Sequence, residues 1–320
     1  MPAHRSLRKR GTMIRVTFPL GLSVVLCAAF ASPASAQPAQ QFVEIPGVLT
    51  QVSAGGASVW GVNAANDIYQ YNPSTGQWGY IPGALTQIAA GGGTLVQHDE
   101  VWGINASNGI YQFNWAAGLF EPIPGFLTKI AVGPGYSACH PYEVWGLNSS
   151  LIFRYNYCSG FFEQIPGALS QIAVGDGQVW GINPSSLVYR FNPTANQFNQ
   201  VSGVLKQIAV GAVGVWGVNP SGFVYRFDQD TGGFHQINGV LTQVAVGGNG
   251  VWGINAAGIH RFDESAQSFT QITQVPSVVF STVSVGTGTG VWGIDQSNLI
   301  YTFETFLNLL FRKSLTENAR

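Results

Sequence analysis

Between residues 41 and 303, short apolar runs alternate with polar breaks rich in glycine and asparagine, and the alternation recurs along the chain. Residues 169–203 hold one clean cycle, with the runs Q-I-A-V-G, Q-V-W-G-I-N, L-V-Y-R-F-N and F-N-Q-V-S-G. Each run is β-branched or aromatic and is bounded by Gly, Asn, Pro or Ser, which predicts four short strands, a to d, joined by turns.

The tetrapeptide V-W-G-[VIL] marks strand b, with Trp at 60, 102, 145, 180, 216, 252 and 292. The average spacing of about 39 residues is that of a repeat array. Consecutive four-stranded antiparallel units set around an axis make a β-propeller. The runs are too short for outer-membrane barrel strands, which need about 9–11 residues. A solenoid would need capping ends that the sequence does not offer.

The two ends of the array complement each other. The last copy, V-W-G-I-D-Q-S-N-L-I-Y-T-F (291–303), supplies strands b and c but no d. A d-like segment, Q-F-V-E-I-P-G, stands instead at 41–47, matching G-Y-I-P-G (79–83), E-P-I-P-G (121–125) and E-Q-I-P-G (163–167). The N-terminal strand is therefore expected beside Tyr301-Thr302-Phe303, where it would close the circle and remove exposed edges. This count predicts an all-β propeller of seven four-stranded blades. Unit six, with Q-I-T-Q-V-P-S-V-V-F in place of an I-P-G ending, and the tail 305–320 depart from the cycle.

Composition narrows the class further. Of 320 residues, 46% are hydrophobic and only 9% charged, with 41 glycines and 16 prolines, which argues against both a disordered chain and a helical one. Residues 1–36 hold a basic start (Arg5, Arg8, Lys9, Arg10, Arg15), an apolar run from Val16 to Ala31 and Ala34-Ser35-Ala36. These are the parts of a secretory signal peptide. The domain reading is thus a signal at 1–36, the propeller at 37–304 and an irregular tail at 305–320, the protein being secreted or periplasmic. Cys27 follows Leu26 and does not look like a lipid-attachment site. Cleavage leaves nine cations against 15 acids, a net charge of −6. A mildly acidic chain without basic clusters argues against nucleic acid as partner, and nothing in 37–320 is long and apolar enough to span a membrane as a helix.

Among the repeated residues, Trp60, Trp102, Trp145, Trp180, Trp216, Trp252 and Trp292 are expected to wedge neighbouring sheets together. The Asn that follows (Asn63, Asn105, Asn148, Asn183, Asn219, Asn255, with Asp295 in the last copy) suits a turn-holding role or a ligand contact. Arg154, Arg190, Arg226 and Arg261 on strand c are expected to be solvated. Cys139 and Cys158 fall on two connections of unit three that share a rim, so a disulfide is expected between them in an oxidising compartment. His98, His140, His235 and His260 occupy unequal places in the cycle, and no metal or catalytic motif accompanies them. The enlarged loops 91–101 and 133–143 are the one weak sign of an asymmetric pocket. The chain is therefore read as a non-enzyme without cofactor or metal.

The cycle L-T-Q-I-A-[AV]-G…V-W-G-[IV]-N…[IV]-Y-[QR]-[FY]-N…F-x-Q-I-P-G resembles tectonin repeats, over about 41–303. The resemblance implies a propeller lectin recognising glycans, among them lipopolysaccharide or modified surface sugars. Such proteins commonly have six blades; seven copies are counted here. Turns rich in polar and aromatic side chains suit sugars, and repeated weak sites gain by avidity. On this reading the ligand grooves lie between adjacent blades, lined by the Asn turns and by Trp78 and Trp115. The alternative from another class is a protein-interaction scaffold using the two enlarged loops.

Overall fold

The computed structural model describes residues 40–93, 97–273 and 278–305. The export signal with Cys27, and the tail beyond Thr305, lie outside the described residues. Among the described residues there are 28 strands, in five four-stranded sheets and one eight-stranded sheet. The eight-stranded sheet consists of two four-stranded sets whose outer strands, Gly233–Val240 and Ser268–Gln271, touch through one parallel pair, Asn238 and Ser268.

Five of the sheets use four consecutive strands, or two such sets, in chain order. The remaining sheet takes Gln40–Val48 from the start of the chain and pairs it with Leu299–Thr305 at the end, with Phe42 opposite Phe303 and Val43 opposite Thr302. The first strands of successive sets contact one another in turn, from Gln51–Ala54 through to Phe280–Val285, which in turn contacts Gln51–Ala54. The sets thus form a closed circle with the a strands innermost. Their glycines surround an axial cavity of about 200 Å³. A Cβ on Gly175 would lie 2.3 Å from the Val210 carbonyl oxygen, and one on Gly247 would lie 2.4 Å from that of Val285. Glycine at the end of strand a sets how closely the sets approach.

Each V-W-G tryptophan is buried between its own set and the next. Trp60 meets Phe113 and Phe120, Trp145 meets Phe191 and Phe198, and Trp216 meets Phe262 and Phe269. The same wedge joins last to first, where Trp292 meets Tyr71 and Trp78. Edge-to-face pairs of this kind contribute about 0.5–1.5 kcal/mol beyond their buried area. The glycine after each of the first six Trp lies under the leucine two residues before strand a: a Cβ on Gly103 would fall 2.3 Å from Leu85 Cδ1. In the closing sheet Phe280 takes that leucine's place over Gly293.

The indole N–H groups show how the residue before the motif is chosen. Two residues earlier, Ser58, Glu100, Glu143 and Gln178 accept from Trp60, Trp102, Trp145 and Trp180 through their side chains. Where that residue is Gly214, Gly250 or Gly290, all at positive φ, the backbone turns so that the preceding carbonyl accepts instead.

A second device between sets is the glutamine that opens strand a. Gln207 accepts from the Val244 N–H at 2.9 Å and donates to the Val244 carbonyl at 2.8 Å, while Gln51 does the same to Ile88. In the third set Lys129 stands at this position and reaches the Ser170 carbonyl. Each such amide extends the hydrogen-bonding of one inner strand onto the next.

Candidate functional site

In these sheets the a–b and c–d connections share one rim, and that rim carries the chemistry. Arg190 and Arg261 are exposed, as the sequence suggested, and Arg226 is partly so, whereas Arg154 is buried. Each sits opposite the Trp of its own set in the strand register, with its guanidinium 5.2–5.5 Å from the indole centroid. The cation is held against the electron-rich ring face, and its outer edge is turned to the rim.

Two grooves of the same construction follow from this arrangement. One, of about 690 Å³, is lined by Gly214, Arg226, Phe227, Asp228 and Ile237 with Asp176 and Glu264 from neighbouring sets. The other, of about 440 Å³, is lined by the equivalent Gly250, Arg261, Phe262, Asp263 and Ile272. Arg226 crosses to Glu264 of the next set at 3.1 Å. Asp228 and Asp263 end strand c and cap the following turn, accepting from the Asp230 and Ser265 N–H groups at 2.8 Å. The backbone N–H of Asp230 holds the Asp228 carboxyl below its ordinary range, and the Ser265 hydroxyl does the same for Asp263. Both are anions at neutral pH. Asn72, Asn114, Asn156 and Asn192 make the same turn elsewhere.

The asparagines after V-W-G serve their own turns. Asn63 accepts from the Ala65 and Asp67 N–H groups, Asn105 from Ser107 and Gly109, and Asn183 from Ser185 and Leu187. Asn219 accepts from Phe223, Asn255 from Ala257, and Asp295 from Ser297 and Leu299. Asn148 ends its strand beside Leu151. Apart from Asn148, these oxygens accept from the N–H groups of their own b–c turns and hold them internally.

Trp115 is also committed. Its N–H donates to the Asp99 carbonyl at 2.9 Å, and its face stacks on His98 at 4.3 Å. Trp78 is half-buried and packs against Tyr71 and Trp292. One edge lines a pocket of about 450 Å³ between the closing strand and the first sheet, the same pocket that Asn63 borders.

The His98-Asp99-Glu100 tract is structural. Asp99 is buried and accepts from the Gly56, Ala57, Ser58 and Gly93 N–H groups and from the Ser58 hydroxyl. It locks the a–b turn of the preceding set to its own loop. In the third set a disulfide joins Cys139 to Cys158. Beside it Glu143 and Arg154 form a buried ion pair, with the Tyr136 hydroxyl 3.3 Å from the guanidinium. Among the described residues no group of three or more His, Cys, Asp or Glu is placed to hold a metal, and no helix is long and apolar enough to cross a membrane.

The sequence pointed to grooves between adjacent blades but not to their Arg and Asp lining, because it weighed Trp and Arg separately. The usable signal was their fixed pairing: wherever strand c carries Arg, it falls directly opposite the V-W-G tryptophan.

A family model described as Tectonin domain matches residues 25–194 and 169–310 of the chain. No curated protein matches it. Among solved structures, one titled "YCF48 bound to D1 peptide" superposes with a TM-score of 0.63 at 12% identity, covering 84% of this chain and all of that one. A second is the crystal structure of Prp20p from Saccharomyces cerevisiae, whose title names its binding to Gsp1p and histones. It has a TM-score of 0.58 at 11% identity and covers 84% of this chain and 85% of that one. Both are similar in fold.

Proposed function

The chain belongs to the tectonin-domain family, and from that premise we propose that it is an exported, non-enzymatic β-propeller of seven blades that binds saccharides in grooves repeated along one rim. Supporting the blade count are 28 described strands, four at a time around the closed inner circle. Supporting export is the signal-like composition of residues 1–36.

The observation that carries the saccharide reading is the repetition itself. Two consecutive grooves present the same set of Arg, Asp, aromatic and aliphatic positions. A guanidinium fixed on an indole and a carboxylate held ionised offer, side by side, a donor fork and an acceptor. Vicinal hydroxyls of a sugar can use both at once. Repeated sites of this kind favour polyvalent surfaces such as lipopolysaccharide, where avidity compensates weak single contacts.

A glycan array followed by calorimetry on the mature protein tests this. Arg226→Ala and Arg261→Ala are expected to weaken binding at least tenfold each per site while leaving the melting temperature nearly unchanged. Absence of any carbohydrate binding at millimolar concentration would refute the reading.

A second reading, a peptide- or protein-binding propeller, has one specific observation behind it. Tyr136 and Phe161 are 51% and 57% exposed beside the disulfide-tied loop of the third set, and the titles of both fold neighbours name peptide or protein partners. Pull-down with and without Tyr136→Ser and Phe161→Ser separates it from the first.

A further inference from the structure

The chain has nine tryptophans, and eight of their N–H groups have an acceptor: the seven of V-W-G and Trp115. Trp78 has none, and its Nε1 is buried. The position makes this pointed. Trp78 occupies the strand-d slot that receives the preceding set's tryptophan, and the other sets fill that slot with phenylalanine: Phe120, Phe162, Phe198, Phe234 and Phe269, with Phe42 in the closing sheet. Phenylalanine packs there without stranding a donor. The indole therefore brings a polar group that packing does not need.

The pocket beside it is also unlike the rim grooves. It holds about 450 Å³ and is lined by Gly47, Asn63, Tyr69, Gln77, Trp78 and Ile300, among others, with no charged residue. Ligand pockets of this size with few polar groups on an apolar wall are typical of small-molecule sites. One wall is aliphatic, and the other presents the Tyr69 hydroxyl and the Gln77 carboxamide beside the Trp78 ring, whose N–H lies buried behind it against Gly47. A neutral sugar ring, with a C–H face and a hydroxyl edge, matches both walls. An anionic or cationic ligand would find no counter-charge.

Three segments make this pocket: the closing strand (Pro46 to Leu49), strand c of the closing sheet (Ile300) and the first sheet (Tyr69, Trp78). They meet only when the ring is closed. A ligand that touches all three binds the closed form alone and so favours it by mass action.

We propose that the Trp78 pocket is a single, non-repeated site for a neutral saccharide ring, and that its occupancy holds the N-terminal strand in the ring. The inference takes its ligand class from the saccharide reading above but concerns a separate place, so the two can fail independently.

The test uses the mature protein, Trp78→Phe, Gln77→Ala and Arg226→Ala, titrated with the methyl glycosides of glucose, galactose, mannose and N-acetylglucosamine. Binding is followed by calorimetry, and the closing strand by amide exchange. Trp78→Phe restores the residue of the other sets and is expected to fold; Gln77→Ala alters an exposed position and serves if it does not. The expected result is one glycoside site per chain, distinct from any at the rim, that persists in Arg226→Ala and loses at least tenfold in affinity in Trp78→Phe and Gln77→Ala. The ligand should slow exchange across residues 44–49 in the parent and not in Trp78→Phe. Glycoside binding that is unchanged in Trp78→Phe and Gln77→Ala would overturn this inference and leave the rim reading standing. Glycan binding on the array that depends on Arg226, with no neutral glycoside bound, would do the same. No saccharide bound by any means would remove both.

Discussion

Phe42 meets Trp252 edge to face, with ring centroids 5.8 Å apart and planes at 88°. Elsewhere that contact is made by the strand-d phenylalanine of the following set, as Phe269 does for Trp216. The beginning of the chain thus supplies the aromatic for the closing set, and closure depends on the same wedge that joins every other pair.

Phe42 is buried and also packs on Phe280 and Phe303. Phe42→Ala should therefore cost about 3–5 kcal/mol, as large-to-small changes in aromatic cores do, read as a shift in the urea midpoint. A loss below about 1 kcal/mol would mean that the N-terminal strand contributes little to the closed ring.

Asp99 accepts four hydrogen bonds from a turn in another set and a fifth from Gly93 in its own loop. Asp99→Ala leaves buried N–H groups without a partner, each worth about 1–3 kcal/mol. Unfolding is expected to be easier by at least about 3 kcal/mol. His98→Ala, one residue away and exposed, should change stability by less than about 1 kcal/mol. Equal effects at the two positions would show that Asp99 is not the latch.

The buried pair in the third set predicts a pattern rather than a single loss. Glu143→Gln leaves the Arg154 guanidinium without its counter-charge and should cost about 3–5 kcal/mol. Glu143→Met combined with Arg154→Met removes both charges and should recover much of that loss. A double variant as unstable as the single one would indicate that the pair itself, not the stranded charge, carries the stability.

Asn183 separates turn from ligand chemistry. Its carboxamide accepts from Ser185 and Leu187 at 2.9 Å, so Asn183→Ala should cost about 1 kcal/mol, in the range found for capping residues. Glycan affinity should be unchanged. A matching loss of binding would return the b–c turns to the list of contacts.

Much of this architecture was legible because period and chemistry agreed. The V-W-G cycle located the second strand of every set, and the mismatch between residues 41–47 and 291–303 placed the N-terminal strand beside Tyr301-Thr302-Phe303, as found. What stayed hidden depends on contacts between sets. Gln207 and Asp99 act on residues 37 and 41–43 positions away, a distance at which one sequence offers no pairing signal. The solvated reading failed at Arg154, which the strand register places on Trp145 and which pairs with buried Glu143. Trp78 looked like a rim aromatic because it differs from its counterparts. That difference is real, but its ring serves the inter-set wedge as well as the pocket.

The last expectation concerns mild acid. His260 stands where other sets carry Tyr69, Tyr111, Tyr189, Tyr225 and Tyr301, and its buried Nδ1 has no partner. Burial pushes its pKa below the ordinary value, with a weaker opposing effect from a backbone hydrogen bond at Gly258. His140 is lowered for the same first reason and further by Arg154, against Glu143 and Glu163 and a hydrogen bond with the Tyr155 carbonyl. Above about pH 6.5 both histidines are neutral folded and unfolded, so neither makes stability depend on pH. Between that value and the lower folded one, the unfolded chain takes up protons that the folded chain refuses. Stability must then fall as the pH drops through this window and level off once the folded histidines titrate. Asp228 and Asp263, also depressed, act the same way but only below the ordinary carboxylate range near 4, so they do not contribute between pH 7.5 and 5.5. Urea midpoints at those two pH values should therefore decrease in the parent and decrease less in His260→Tyr, which supplies the residue of the other sets. An identical decrease in both proteins would assign the acid sensitivity to other groups.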